Sequence, residues 1–121
     1  MQRHIWVIDD DEVFCAMLKR VLEEEDYRVT TFTDIQMAER KMRQLRPELV
    51  FLDLKMPGGG GMQFLKQFRK KFPDTPVYIL TGHGDLQSAR EALKYGATEL
   101  VGKPIELKKL KSMVKEALVA A

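Results

Sequence analysis

Cysteine is almost absent: Cys15 is the only one in a chain of 121 residues. A lone thiol excludes an internal disulfide and fits a reducing cytoplasm, the expected location. A nucleophilic Cys15 would need a histidine in a partner motif. Neither His4 nor His83 stands in one, so Cys15 is read as an ordinary helix thiol. Long hydrophobic runs are missing too. No apolar stretch approaches the ~18 residues that a membrane span needs. The opening MQRHIWVIDDD does not read as a signal peptide, because its short apolar stretch runs straight into three acids. Charge of one sign is also lacking. A formal net charge of +2 argues against direct nucleic-acid binding by this domain. Lysines do gather late, at Lys103, Lys108, Lys109, Lys111 and Lys115. A solvated helix face explains them at least as well as a phosphate-binding stripe. With the two histidines on different segments and no Cys/His cluster, no zinc site is expected.

What is present is a regular alternation. Apolar residues make up 45% of the chain, enough for one domain with one core spanning residues 1–121. Short apolar runs at 5–8, 29–32, 49–52, 77–80 and 100–101 read as strands. Between and after them the apolar period lengthens to that of helices. Phe14, Leu18, Val21 and Leu22 share a face, as do Ile35, Ala38, Met42 and Leu45, and Met62, Leu65, Phe68 and Phe72. A fourth helix is expected over 85–95 with Gly96 as its C-terminal cap. The last carries Leu107, Leu110, Val114 and Ala117. Five strand–helix units imply a parallel sheet with helices on both faces. Strands covered on both faces read as continuous apolar runs. The first, third and fourth do so. The second, Arg28-Val29-Thr30-Thr31-Phe32, is more polar and the fifth is short, which suits edges. The expected class is α/β, flavodoxin-like (βα)5, in order 2-1-3-4-5.

In such sheets ligands bind at the carboxyl ends of the strands, where the winding reverses. The residues there are Asp9, Asp10 and Asp11 after strand one, Asp53 after strand three, Thr81 after strand four and Lys103 after strand five. Each has an ordinary explanation alone: a helix cap, a turn residue, a solvated lysine. Their common location does not. Two carboxylates ~4 Å apart repel by about 4 kcal/mol at an effective dielectric near 20, so several together need a cation or raised pKa values. Oxygen-only ligands favour a hard ion, Mg²⁺, which commonly keeps a place for phosphate oxygens. Mg²⁺ beside a spare carboxylate suggests phosphoryl transfer to that carboxylate. Asp53, alone at the sheet centre, is the expected nucleophile. Asp9 and Asp10 are the pair better suited to the metal.

The motifs Val7-Ile8-Asp9-Asp10-Asp11, Leu52-Asp53-Leu54-Lys55-Met56-Pro57-Gly58, Leu80-Thr81-Gly82 and Lys103-Pro104 together resemble the receiver domains of bacterial response regulators, over the whole chain. The flavour is that of receivers in front of sigma-54-type activator domains. The resemblance implies that Asp53 is the phosphoacceptor and that Asp9, Asp10, Asp53 and the backbone carbonyl of Lys55 hold Mg²⁺. It implies that Thr81 moves to contact the phosphoryl group, that Lys103 pairs with it, and that the Lys103–Pro104 bond is often cis. The donor would be a sensor histidine kinase. The response would be an output domain in a longer chain, or a phosphorylation-dependent homodimer through helix four, strand five and helix five. Self-catalysed phosphotransfer and dephosphorylation would be the only catalysis.

Two positions depart from that pattern. The loop after Pro57 reads Gly58-Gly59-Gly60-Gly61, with Gly60 where the family has an acid, so high mobility is expected. The glycines do not join a strand to a helix as a nucleotide cradle does. Leu100 stands where the family commonly has an aromatic side chain that turns inward on activation. Two rivals remain. An aspartate-nucleophile phosphatase of the haloacid-dehalogenase type would need an acid where Lys55 stands. A pseudo-receiver, working without phosphate, draws on Leu100 and Gly60 but sits poorly with the complete acid, threonine and lysine set.

Overall fold

A computed structural model of the chain describes residues 2–82 and 84–119. Ten elements alternate: β1 (His4–Ile8), α1 (Glu12–Glu24), β2 (Arg28–Phe32), α2 (Ile35–Met42), β3 (Leu49–Asp53), α3 (Gly61–Lys71), β4 (Val77–Thr81), α4 (Leu86–Lys94), β5 (Glu99–Gly102) and α5 (Leu107–Val119). The sheet is parallel throughout, in the order β2-β1-β3-β4-β5. This is the flavodoxin-like order expected from the polarity of the edge strands.

Alternation along each strand divides the apolar residues between two cores. Trp6 and Ile8 of β1 pack with Val50 and Leu52 of β3, and with Ile35, Phe64, Phe68, Ala89 and Ala92 from α2, α3 and α4. Ile5 and Val7 face the other way, with Leu49, Phe51 and Leu80, against Leu18 and Leu22 of α1 and Leu110, Val114 and Leu118 of α5. The central strands look uniformly apolar because they serve both layers.

Helix ends follow local chemistry. Asp11 and Asp34 cap α1 and α2 by accepting from the Phe14 and Met37 amides. α4 ends as expected at Gly96, whose φ of 102° allows the Ala97 amide to reach Ala92 O and its own amide to reach Leu93 O. Gly58, Gly59 and Gly60 all have positive φ. Gly61, opening α3, has a different constraint: a Cβ there would stand 2.9 Å from Leu54 Cα. The glycine run thus meets definite backbone demands.

Two expected core positions are corrected. Leu45 lies beyond α2, which ends at Met42, and is exposed: the chain leaves the helix before Pro47. In α5 the buried stripe is Leu110, Val114 and Leu118. Leu107 in the first turn is exposed, whereas Ala117 is partly buried and packs against this core as expected.

Candidate functional site

Parallel register gathers the functional side chains. Ile8 lies opposite Leu52, so the chain leaving β1 at Asp9 runs beside Asp53. Asp53 in turn lies opposite Leu80 on β4, and Thr81 opposite Gly102 on β5. The Lys103 amide extends that ladder, donating to Thr81 O at 2.8 Å. Four loops, after β1, β3, β4 and β5, thereby converge on one edge.

Asp9 is fully buried, with Oδ1 accepting from the Asp11 amide at 3.0 Å. Its Oδ2 stands 2.5 Å from Lys103 Nζ, yet takes no well-directed hydrogen bond. Lys103 Nζ also lies 3.7 Å from Asp53 Oδ2 and above the Phe14 ring, 4.5 Å from its centre. Asp53 Oδ1 accepts from the Lys55 amide at 2.9 Å. Ligand oxygens of Asp9, Asp10 and Asp53 lie within 4.8 Å of one another. Asp10 is exposed, and Asp11 is spent on the α1 cap.

The electrostatics are uneven. Burial pushes the Asp53 carboxyl up to about 6; the Lys55 amide pulls it down, Asp9 pushes up, Lys103 pulls down, and Asp10 adds a further push. For Lys103 burial opposes the charge, but contact with Asp9 and the pull of Asp53 and Asp11 prevail and raise its pKa. Three carboxylates against one ammonium leave two negative charges uncompensated. The oxygens of Asp9, Asp10 and Asp53 form a hard, oxygen-only set that suits a divalent ion such as Mg²⁺. Burial also pushes the Cys15 thiol up to about 11, helped by Asp9 and Asp11. Its Sγ donates to Asp9 O at 3.2 Å, in line with an unreactive helix thiol.

Thr81 lines a crevice of about 10 Å³ with Asp53, Lys55 and Asp85. Its hydroxyl makes only a long 3.5 Å bond to Gly82 O. The Lys103–Pro104 bond is cis, as the resemblance implied. His4 sits away from these carboxylates, beside Thr30 Oγ1 at 2.7 Å, and His83 lies outside the described residues. Sequence reasoning missed one feature: the Lys55 ammonium forms an ion pair with Asp85 Oδ1. A lysine in a loop and an acid thirty positions later carry no shared signal.

Two buried carboxylates, Asp9 and Asp53, face Lys103 at the switch point of a flavodoxin-like α/β sheet. The family model for the response regulator receiver domain matches residues 5–115, and the chain belongs to that family. It is 36% identical over 115 residues to the transcriptional regulatory protein FixJ of Bradyrhizobium diazoefficiens, covering 95% of this chain and 56% of FixJ. It is 34% identical over 119 residues to the DNA-binding transcriptional regulator NtrC of Escherichia coli, covering 98% of this chain and 25% of NtrC. The CheY-like receiver domain protein from Methanospirillum hungatei superposes with a TM-score of 0.92 at 26% identity, over 99% of this chain and 96% of that one. The likeness to NtrC agrees with the resemblance to receivers of sigma-54-type activators. The chain spans about half of FixJ and a quarter of NtrC. Among the described residues no helix is long and apolar enough to cross a membrane.

Proposed function

We propose that Asp53 is the phosphoacceptor, taking a phosphoryl group from a phosphohistidine on a sensor kinase in the cytoplasm. One observation carries this reading: Asp53 is a mostly buried carboxyl at the sheet centre, with raised pKa, between an acidic pair and an ammonium. Asp9, Asp10, Asp53 and the Lys55 carbonyl would hold Mg²⁺, which when bound neutralises charge on the transferring oxygens. The chain's own residues do the rest. The Lys55 amide orients the Asp53 carboxylate. A carboxylate oxygen forms the new bond to phosphorus as the P–N bond breaks and the imidazole keeps the electron pair. Lys103, held by Asp9 and Phe14, pairs with a phosphoryl oxygen. Thr81 turns its weakly bonded hydroxyl toward another.

The new group adds about 1.5 to 2 negative charges. Inverting a 1:99 equilibrium takes about 5.5 kcal/mol of preference for the second state, the order of a few charge-assisted hydrogen bonds. The β4–α4 segment then repacks, and the surface of α4, β5 and α5 engages an output domain in a longer chain or a second copy. No catalysis beyond self-directed phosphotransfer and dephosphorylation is assigned. The complete acid, threonine and lysine set speaks against a phosphorylation-independent module.

The test is intact mass after incubation with acetyl phosphate and Mg²⁺. A single phosphoryl gain is expected. No gain, or one that persists in Asp53→Ala, removes the assignment.

A further inference from the structure

Lys55 has two separate engagements. Its backbone amide holds Asp53 Oδ1. Its ammonium reaches away from Asp53, to Asp85 Oδ1. Asp85 directly precedes α4, and its Oδ2 accepts from the Gly82 amide at 3.2 Å. One carboxylate therefore ties the loop after β3 to the loop after β4. It does so instead of capping its own helix: Asp11 and Asp34 accept from the first turns of α1 and α2, whereas α4 has no side-chain cap. An acid at that position ordinarily caps.

The rest of α4 makes this tie consequential. Its buried residues are only Ala89 and Ala92, which offer little apolar area. Its far end is held by the turn at Gly96, where Arg69 of α3 donates to Gly96 O through Nε at 2.9 Å and Nη2 at 2.7 Å. The near end has the Asp85 link. A helix pinned at one end and tied at the other by an ion pair next to Asp53 is set to pivot.

We infer that the Lys55–Asp85 pair is a latch on the first turn of α4, opened when Lys55 exchanges Asp85 for the phosphoryl group on Asp53. The inference rests on Asp53 being the phosphoacceptor. Lys55 and Asp85 line the same crevice as Asp53 and Thr81, which has room for about one water. The Lys55 side chain is 60% exposed, so it is free to turn, and its ammonium is a compact charge with rotatable donors. Lys103 already serves the Asp9 side of Asp53. Among the described residues that line this crevice, Lys55 is the cation on the α4 side. A phosphoryl group carrying nearly twice the charge of a carboxylate outcompetes Asp85 for it. Asp85 is then released, and the first turn of α4 loses its anchor.

The experiment is a double-mutant cycle on amide hydrogen exchange at residues 89–92, the first amides of α4 that bond back along the helix, in the resting and the phosphorylated protein. Lys55→Met keeps the backbone amide, and Asp85→Asn keeps an oxygen for Gly82 N–H. In the resting state each variant is expected to lower protection by about two- to fivefold, as for a partly exposed pair. The double variant should lose no more than either single one, and Asp85→Glu should recover part of the protection. In the phosphorylated protein the coupling should vanish and wild-type protection should fall to that of the variants. Independent effects in the resting state overturn the latch. So does coupling that persists in a sample whose intact mass shows the phosphoryl group. Absence of that mass instead removes the Asp53 reading, and the trigger with it.

Discussion

Replacing Asp53 by Asn should stabilise the ion-free protein. The carboxyl is pushed to about 6 by burial and by Asp9 and Asp10, net of the pull of the Lys55 amide and of Lys103. Against an ordinary value near 4, a shift of about two units corresponds to about 3 kcal/mol. The group keeps some access to solvent, so screening reduces this to about 1–2 kcal/mol. The sign follows from proton linkage. A carboxyl with a raised folded-state pKa binds its proton more tightly in the folded protein, so its ionisation destabilises the fold. The penalty is complete above about pH 6 and disappears as the pH falls toward 4. Asn keeps the acceptor for the Lys55 amide, removes the charge and puts an NH2 in place of Oδ2. With chelator at pH 7.5 the melting temperature of Asp53→Asn should rise by about 3–8 °C. At pH 4 the two proteins should melt together. Mg²⁺ should narrow the gap at pH 7.5, because wild type gains about 1.4 kcal/mol at ten times the dissociation constant while the variant, missing a ligand, gains less. Thermal melts followed by circular dichroism measure all three. A variant no more stable than wild type at pH 7.5, or one whose advantage persists at pH 4, refutes the account of the site's electrostatics.

Two further predictions concern the scaffold. Gly61→Ala would place a Cβ 2.9 Å from Leu54 Cα, a backbone atom that cannot yield cheaply. Urea denaturation should show a loss of about 1–3 kcal/mol, with the midpoint falling at unchanged slope. Arg69→Met should leave the carbonyls of Gly96, Phe72 and Thr75 without their guanidinium. A loss of about 2–3 kcal/mol is expected in the same assay, with the largest rise in amide exchange around Gly96. An effect under about 0.5 kcal/mol would mean that water replaces the guanidinium.

Much of this architecture was legible in residue order. The apolar runs at 49–52 and 77–80 have no polar interruptions because both faces of those strands are covered, and that marked them as central. The polar Arg28 and Thr30 of β2 marked an edge in the same way. Errors fell where periodicity outlasts structure. Leu45 continues the α2 spacing arithmetically, but the helix stops at Met42. Leu107 begins the α5 spacing in a first turn that leaves its side chain exposed. Arg69 carries no signal of its own in the sequence, standing beside Lys70 and Lys71, yet its guanidinium bonds three carbonyls.

Sequence alone determined the order of the strands and which residues stand at their carboxyl ends, because alternating burial and parallel register leave few other solutions. Asp9, Asp53, Thr81 and Lys103 were named on that basis. Tertiary structure decided what those groups experience. How far Asp53 is desolvated, which oxygen of Asp9 meets the Lys103 ammonium, and that Lys55 turns toward Asp85 depend on how loops of particular length fold over the sheet edge. Burial and ion pairing act through distances in space, and these do not repeat with any period along the chain.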